Sequence, residues 1–229
     1  MSSWVPAAMG QSAAELIASL GRHIPQLRRV SFLRYDVRPP ASKRLPGVAV
    51  GEDWVPGLDI LARVRHAADP EGAVRTLLAA GDRDEVSRLE WVDVQAVKTL
   101  RAPALEGQAV GLSSLCEFED GQPRHLPLLD FACPKGSEHE HFVRAAAVGL
   151  GLQRGALVDS GASYHLYGFE PLTEVQWRDF MARSLLLAPY VDARYVAHRL
   201  LGGVGVLRVG AAPGKDTEPT VIAYLGDRD

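Results

Sequence analysis

The sequence predicts an α+β fold, on three observations. Apolar runs at 109–118 and 126–133 flank the turn-forming pair Asp120-Gly121 and read as two joined strands. Two further strands, 156–159 and 163–169, flank the turn Ser160-Gly161-Ala162. The segment 173–188 is an amphipathic helix that Thr173 caps and Pro189 closes, with Trp177, Phe180, Met181, Leu185 and Leu186 as its buried face. The 229 residues, 47% of them hydrophobic, suffice for one large domain or two small ones.

The remaining elements follow in order. Ser12 with Glu15 three residues later is a capping box, and Leu16, Ile17 and Leu20 give the helix behind it an apolar face ending near Gly21. Residues 27–37 alternate as a half-buried strand that stops at Pro39-Pro40, and 41–57 reads as a loop. Residues 60–66 are short and alternately apolar, and Asp69-Pro70 opens a helix over 71–80. Trp91, Val94 and Val97, at three-residue spacing, predict a second amphipathic helix within 82–100. The texture changes after Pro103. A helix over 137–151 takes Ser137 as its cap, a shorter helix over 192–201 ends at Gly202-Gly203, and strands at 204–209 and 220–225 close the chain.

Composition excludes several classes. A net charge of −3 supplies no global attraction to a phosphate backbone, so any nucleic-acid contact must be a local basic patch. Two cysteines, Cys116 and Cys133, form no Cys-x-x-Cys pair, which argues against zinc ribbons and disulfide frameworks; both read as buried strand residues. The N-terminus has no leader pattern, and no apolar run approaches the roughly 18–20 residues of a membrane span, so a cytoplasmic protein is expected.

Three polar sites punctuate the second half, at strand ends or helix starts where side chains can converge: Asp130 in LPLLDFACP, the run DSGASYHLY from Asp159 through His165, and Asp192 in YVDARYVAHRL. This order of acidic strand, helix, Ser-x-His strand, long helix and hydrophobic-Asp motif resembles the core of the archaeo-eukaryotic primases, over roughly residues 105–225. The resemblance implies a primase-polymerase-like core of mixed or antiparallel strands with flanking helices at 105–229, preceded by a helix-rich α/β segment at 1–104. It implies a nucleotidyltransferase that joins nucleotides on a template, and, as the alternative, a degenerate module that binds nucleotide, nucleic acid or a protein without polymerising.

Carried over by residue, the resemblance makes Asp130 and Asp192 ligands of Mg2+ or Mn2+ and has Ser163 and His165 hold a nucleoside triphosphate. Arg208 would approach phosphates or template. A nucleic-acid template is the expected macromolecular partner, and a helicase or nuclease is a candidate protein partner. Carboxylate oxygens suit such hard cations, which offset the charge gathered in phosphoryl transfer. The family's first motif alternates two acids on one strand face, but two residues after Asp130 stands Ala132. Asp159 is a third candidate ligand, weighed against a role capping the Ser160-Gly161 turn. Glu138 and Glu140 are further candidates.

Other polar features read more plainly. The run Glu138-His139-Glu140-His141 lacks the three- or four-residue spacing of a helical metal site and fits a solvated first turn. Lys215 lies in a Gly-containing loop that lacks the full phosphate-loop pattern and is a minor phosphate candidate. His198 and Arg199 suit either phosphates or the surface. Alternation places either Tyr164 or Tyr167 outward, where a ring could stack on a base.

Overall fold

The computed structural model describes residues 4–7, 10–36, 69–72, 75, 89–97, 108–212 and 215–226. The expected loop at 41–57, the short segment at 60–66 and most of the helix expected over 71–80 lie outside them. So do 82–88 and 98–100.

Ten strands and five α-helices are used below: β1 (Trp4–Pro6), α1 (Ala13–Ala18), α2 (Leu20–His23), β2 (Leu27–Asp36), β3 (Glu90–Asp93), β4 (Gln108–Phe118), β5 (Pro123–His125), β6 (Leu128–Asp130), α3 (Ser137–Gly149), β7 (Gly155–Asp159), β8 (Tyr164–Gly168), α4 (Glu174–Ser184), α5 (Ala193–Gly202), β9 (Val206–Arg208) and β10 (Thr220–Leu225). They form two antiparallel sheets. The first runs β1-β10-β7-β8-β6, and the second runs β3-β2-β4, with β5 and β9 pairing different stretches of the far edge of β4. β1 pairs with β10 and β2 with β4, so backbone ladders join residues before 105 to the core after it.

The period-two alternation of the first sheet explains the layering. Leu128, Ala156, Val158 and Tyr167 face the second sheet in one apolar core, closed by Leu16, Ile17 and Leu20. Leu129, Leu157, Leu166 and Leu225 face the other way, onto Val143, Trp177, Met181 and Val196 of the helices. The first sheet is therefore the middle layer, and Asp130 and His165 share the face of Leu128 and Tyr167, toward the second sheet.

Local signals set many ends as expected. Ser12 and Thr173 both complete capping boxes, with Glu15 and Gln176 respectively. Gly121 (φ 74°) makes the turn between β4 and β5, and Gly203 (φ 77°) ends α5 in the left-handed region.

Other expectations are corrected. Residues 90–93 are strand β3, not helix, because the open edge of β2 offers them a four-residue ladder; Val94 and Val97 are still buried, but from the turn that follows. The cap of α3 is Gly136 without a side-chain bond, not Ser137. The strand expected over 126–133 is shorter, β6 at 128–130, with a separate strand β5 before it, and Cys133 lies beyond both. α4 stops at Ser184 and continues as a 3-10 turn, which leaves Leu186 84% exposed.

Candidate active site

The site is built at the ends of β6 and β8, where pairing sets Asp130 directly opposite His165. The chain after β6 bridges to the segment before α5 through Phe131 and Val191, and the Asp192 amide donates to the Asp130 carbonyl at 3.1 Å. Two acids 62 residues apart in sequence thus share one corner. Asp192 is also the cap of α5: its Oδ1 accepts from the amides of Arg194 (2.9 Å) and Tyr195 (3.1 Å), which leaves Oδ2 for other use.

Burial, and then the charge of Asp192, push the Asp130 carboxyl up to about 7, against the pull of Lys215, Arg199 and Arg208. Its side chain is nevertheless 29% exposed, so solvent and cations reach it. His165 is the opposite case. Burial, with Arg208 and Lys215 nearby, pulls its imidazole down to about 3, so the ring is neutral at physiological pH. Nε2 stands 3.6 Å from Asp130 Oδ1. At that distance, and with a neutral ring, this is a contact and not an ion pair. His165 Nδ1 and Ser163 Oγ are buried with no hydrogen-bond partner; the Cys133 thiol beside Ser163 is at best a weak one. Each such orphan costs about 1–3 kcal/mol, which an ordered water, an ion or a ligand would offset.

The other candidate residues fall in different settings. Both Asp159 oxygens are engaged, Oδ2 by Lys135 (3.0 Å) and Oδ1 by the Gly161 amide (2.8 Å), the turn-capping arrangement. Glu140 pairs with Arg144 one helical turn on, while Glu138 and His141 are exposed. Arg208 is buried, and its guanidinium donates to the carbonyls of Ser160, Gly210 and Thr217. Lys215 is exposed at the rim. Arg199 lies over the Tyr195 ring, 5.6 Å from its centroid. Neither Tyr164 nor Tyr167 is outward, which corrects the stacking expectation: the Tyr164 hydroxyl bonds Gly136 and the Tyr167 hydroxyl donates to the Arg208 carbonyl.

Among the described residues no three carboxylate, imidazole or thiolate groups form a ready-made cage. Mg2+ rarely needs one, since it commonly takes one or two carboxylates and completes its shell with water and substrate phosphates. Asp130, with the free oxygen of Asp192, fits a single cation of that kind.

A family model described as archaeo-eukaryotic primase 1D-like matches residues 90–220, more than half of the chain. The chain belongs to the archaeo-eukaryotic primase-like family. No curated protein and no solved structure matches it significantly. The match spans β3 to the start of β10 and so takes in every element that positions the primase-like site. No helix among the described residues is long and apolar enough to cross a membrane.

One polar network of this primase-like fold had no sequence signature. The Gly205 amide donates to Ser114 Oγ (2.9 Å), and that oxygen lies 3.0 Å from His125 Nδ1. His125 Nε2 in turn lies 2.8 Å from Glu174 Oε2. The carboxylate requires a proton on Nε2, so Nδ1 accepts from the Ser114 hydroxyl and every link has one donor. Serine, histidine and glutamate in a row suggest a hydrolase, but Ser114 is 0% exposed and no substrate could reach it. The His125 ring stacks on Trp177 (4.6 Å). The network is a buried strut joining β4, β5, α4 and the approach to β9. Its members are separated by 11 to 91 residues, and nothing local marks them.

Proposed function

We propose that the corner formed by Asp130, Asp192 and His165 binds a nucleoside triphosphate together with one Mg2+ or Mn2+ and joins nucleotides on a nucleic-acid template. The observation that carries this reading is the pairing of two acids in mutual repulsion with buried, unsatisfied groups on the adjoining strand, inside a primase-like fold. The cation, when bound, would offset phosphate charge during transfer. Asp130 and Asp192 would hold it. Ser163 and the neutral His165 present polar groups that lack protein partners, which suits oxygens of the triphosphate, and exposed Lys215 adds a cation at the rim.

The test is nucleotide incorporation on DNA and RNA templates with either metal. Asp192→Ala and His165→Ala are expected to lower it at least about 10²-fold while circular dichroism stays unchanged. A wild-type protein that incorporates nothing under any of these conditions would overturn the reading.

Ala132 favours a second reading, a nucleotide-binding module that does not polymerise. It lies two residues beyond Asp130, is partly exposed, and stands where a second acid would complete the first motif. Ala132→Asp is expected to tighten Mn2+ binding by about tenfold or more, since it adds a hard oxygen ligand. If the wild type binds triphosphate without turnover and Ala132→Asp gains incorporation, the module reading holds.

A further inference from the structure

The geometry points to Arg208 as a positioning residue, whose guanidinium ties the carbonyls of Ser160, Gly210 and Thr217 into one latch that presents Lys215, not Arg208 itself, to the triphosphate. The inference rests on the nucleotide-binding reading above and assigns the two cations different tasks within it.

A guanidinium is a rigid fork of five N–H donors with no acceptor. In Arg208 one terminal nitrogen, Nη1, donates both to Gly210 and, at 2.9 Å, to Thr217, while Nη2 donates to Ser160 at 2.7 Å. The residue is only 6% exposed. A buried cation is costly unless hydrogen-bonded, and here three carbonyl dipoles do that work in place of a carboxylate. The carbonyls come from three stretches: the turn between β7 and β8, the end of β9 and the approach to β10. The backbone of Arg208 is fixed as well, paired with Gly111 of β4 and accepting the Tyr167 hydroxyl. The carbonyls hold three of the five N–H groups, and Nε, which has no partner, is buried away from solvent, so a phosphate could reach the guanidinium only by opening the latch.

Lys215 is placed differently. It sits between two of the latched residues, and Ala212 and Lys215 exchange both backbone hydrogen bonds, at 3.0 and 2.8 Å. Its side chain is exposed, with no hydrogen-bond or ion-pair partner among the described residues. Its charge acts on both Asp130 and His165. The latch thus fixes the base of a cation whose head is free, within electrostatic reach of the facing pair Asp130 and His165. Lysine at Arg208 would keep the charge but could not bridge three carbonyls from one planar group.

Two measurements test this. Hydrogen exchange on the full chain compares the wild type with Arg208→Lys. The Ala212 and Lys215 amides are expected to exchange about tenfold faster or more in the variant, while the amides of α3 stay as they were. Unchanged exchange at those two amides overturns the latch, whether or not any nucleotide binds.

Calorimetric titration with ATP and dATP in Mg2+ then compares Lys215→Ala, Arg208→Lys and the double variant. Each single change is expected to weaken binding about tenfold, and the double to be no more than about twofold weaker than the weaker single. Multiplying effects, about a hundredfold together, would mean that Arg208 meets the phosphates on its own and would overturn the proposal. So would full affinity in Lys215→Ala, which serves as the deciding variant if Arg208→Lys does not fold. A wild type that binds neither nucleotide defeats the triphosphate reading and the role given to Lys215, and the exchange experiment separately decides whether the latch exists.

Discussion

Asp130→Asn is expected to abolish metal-dependent nucleotide incorporation, by about 10²-fold or more, and at the same time to stabilise the fold at alkaline pH. The two effects have one cause. In the folded chain the Asp130 carboxyl is raised from its ordinary 3.8 to about 7, first by burial and then by Asp192. Folding therefore favours the protonated form. The contribution to stability is fully present below about pH 4 and is lost as pH rises through 7. Above that, the folded protein carries a buried charge facing another, with an upper-bound cost of about 4 kcal/mol.

The asparagine removes that charge, and because the site is partly open a gain of about 1–3 kcal/mol is expected at pH 8. That corresponds to roughly 3–8 °C in the thermal midpoint of a chain of this size. At pH 4.5 the two proteins should melt close together. Thermal denaturation at both pH values checks it, and a variant that is less stable than wild type at pH 8 would refute the account. Cation binding must displace the same proton, so Mn2+ affinity in the wild type is expected to fall by about tenfold per pH unit below 7.

His125→Ala is expected to cost about 3–5 kcal/mol, the largest stability loss predicted for this fold. The substitution opens a cavity against Trp177, which is completely buried, and strands the Ser114 hydroxyl without an acceptor. His125→Phe separates the two contributions. Phenylalanine keeps the stack on Trp177, so it should cost only about 1–3 kcal/mol, the price of the unpaired hydroxyl. Glu174 adds little to that figure, since its side chain is 49% exposed and water can take the place of the ring. Adding Ser114→Ala to His125→Phe should cost less than the sum of the single changes, because both ends of the lost bond are then apolar. Chemical denaturation of the four variants measures these differences, and strict additivity would show that serine and histidine are not coupled.

Much of the fold could be read locally. Ser12 and Thr173 cap helices through atoms three residues away, Asp120-Gly121 turns within four residues, and the strand expected at 220–225 has the bounds of β10. The order of Asp130, His165 and Asp192 was equally legible, since it depends on strand ends and a helix start that local sequence sets. Strand β3 was not, because three apolar residues at helical spacing yielded to an open edge on β2 that lies some sixty residues earlier. Helix propensity is a weak prior beside a ladder of backbone hydrogen bonds.

By itself, then, the sequence determined the α+β class and the kinship with primases, and it singled out Asp130, His165 and Asp192, which the fold brings to one corner. Only the tertiary structure decided what those groups are chemically. It raised Asp130 by burying it and then by setting Asp192 against it, kept His165 neutral by burying it, tied the terminal nitrogens of Arg208 to carbonyls and left Lys215 open. Charge state and donor occupancy depend on solvent exclusion and on neighbours from distant segments, and those exist only once the chain has closed on itself.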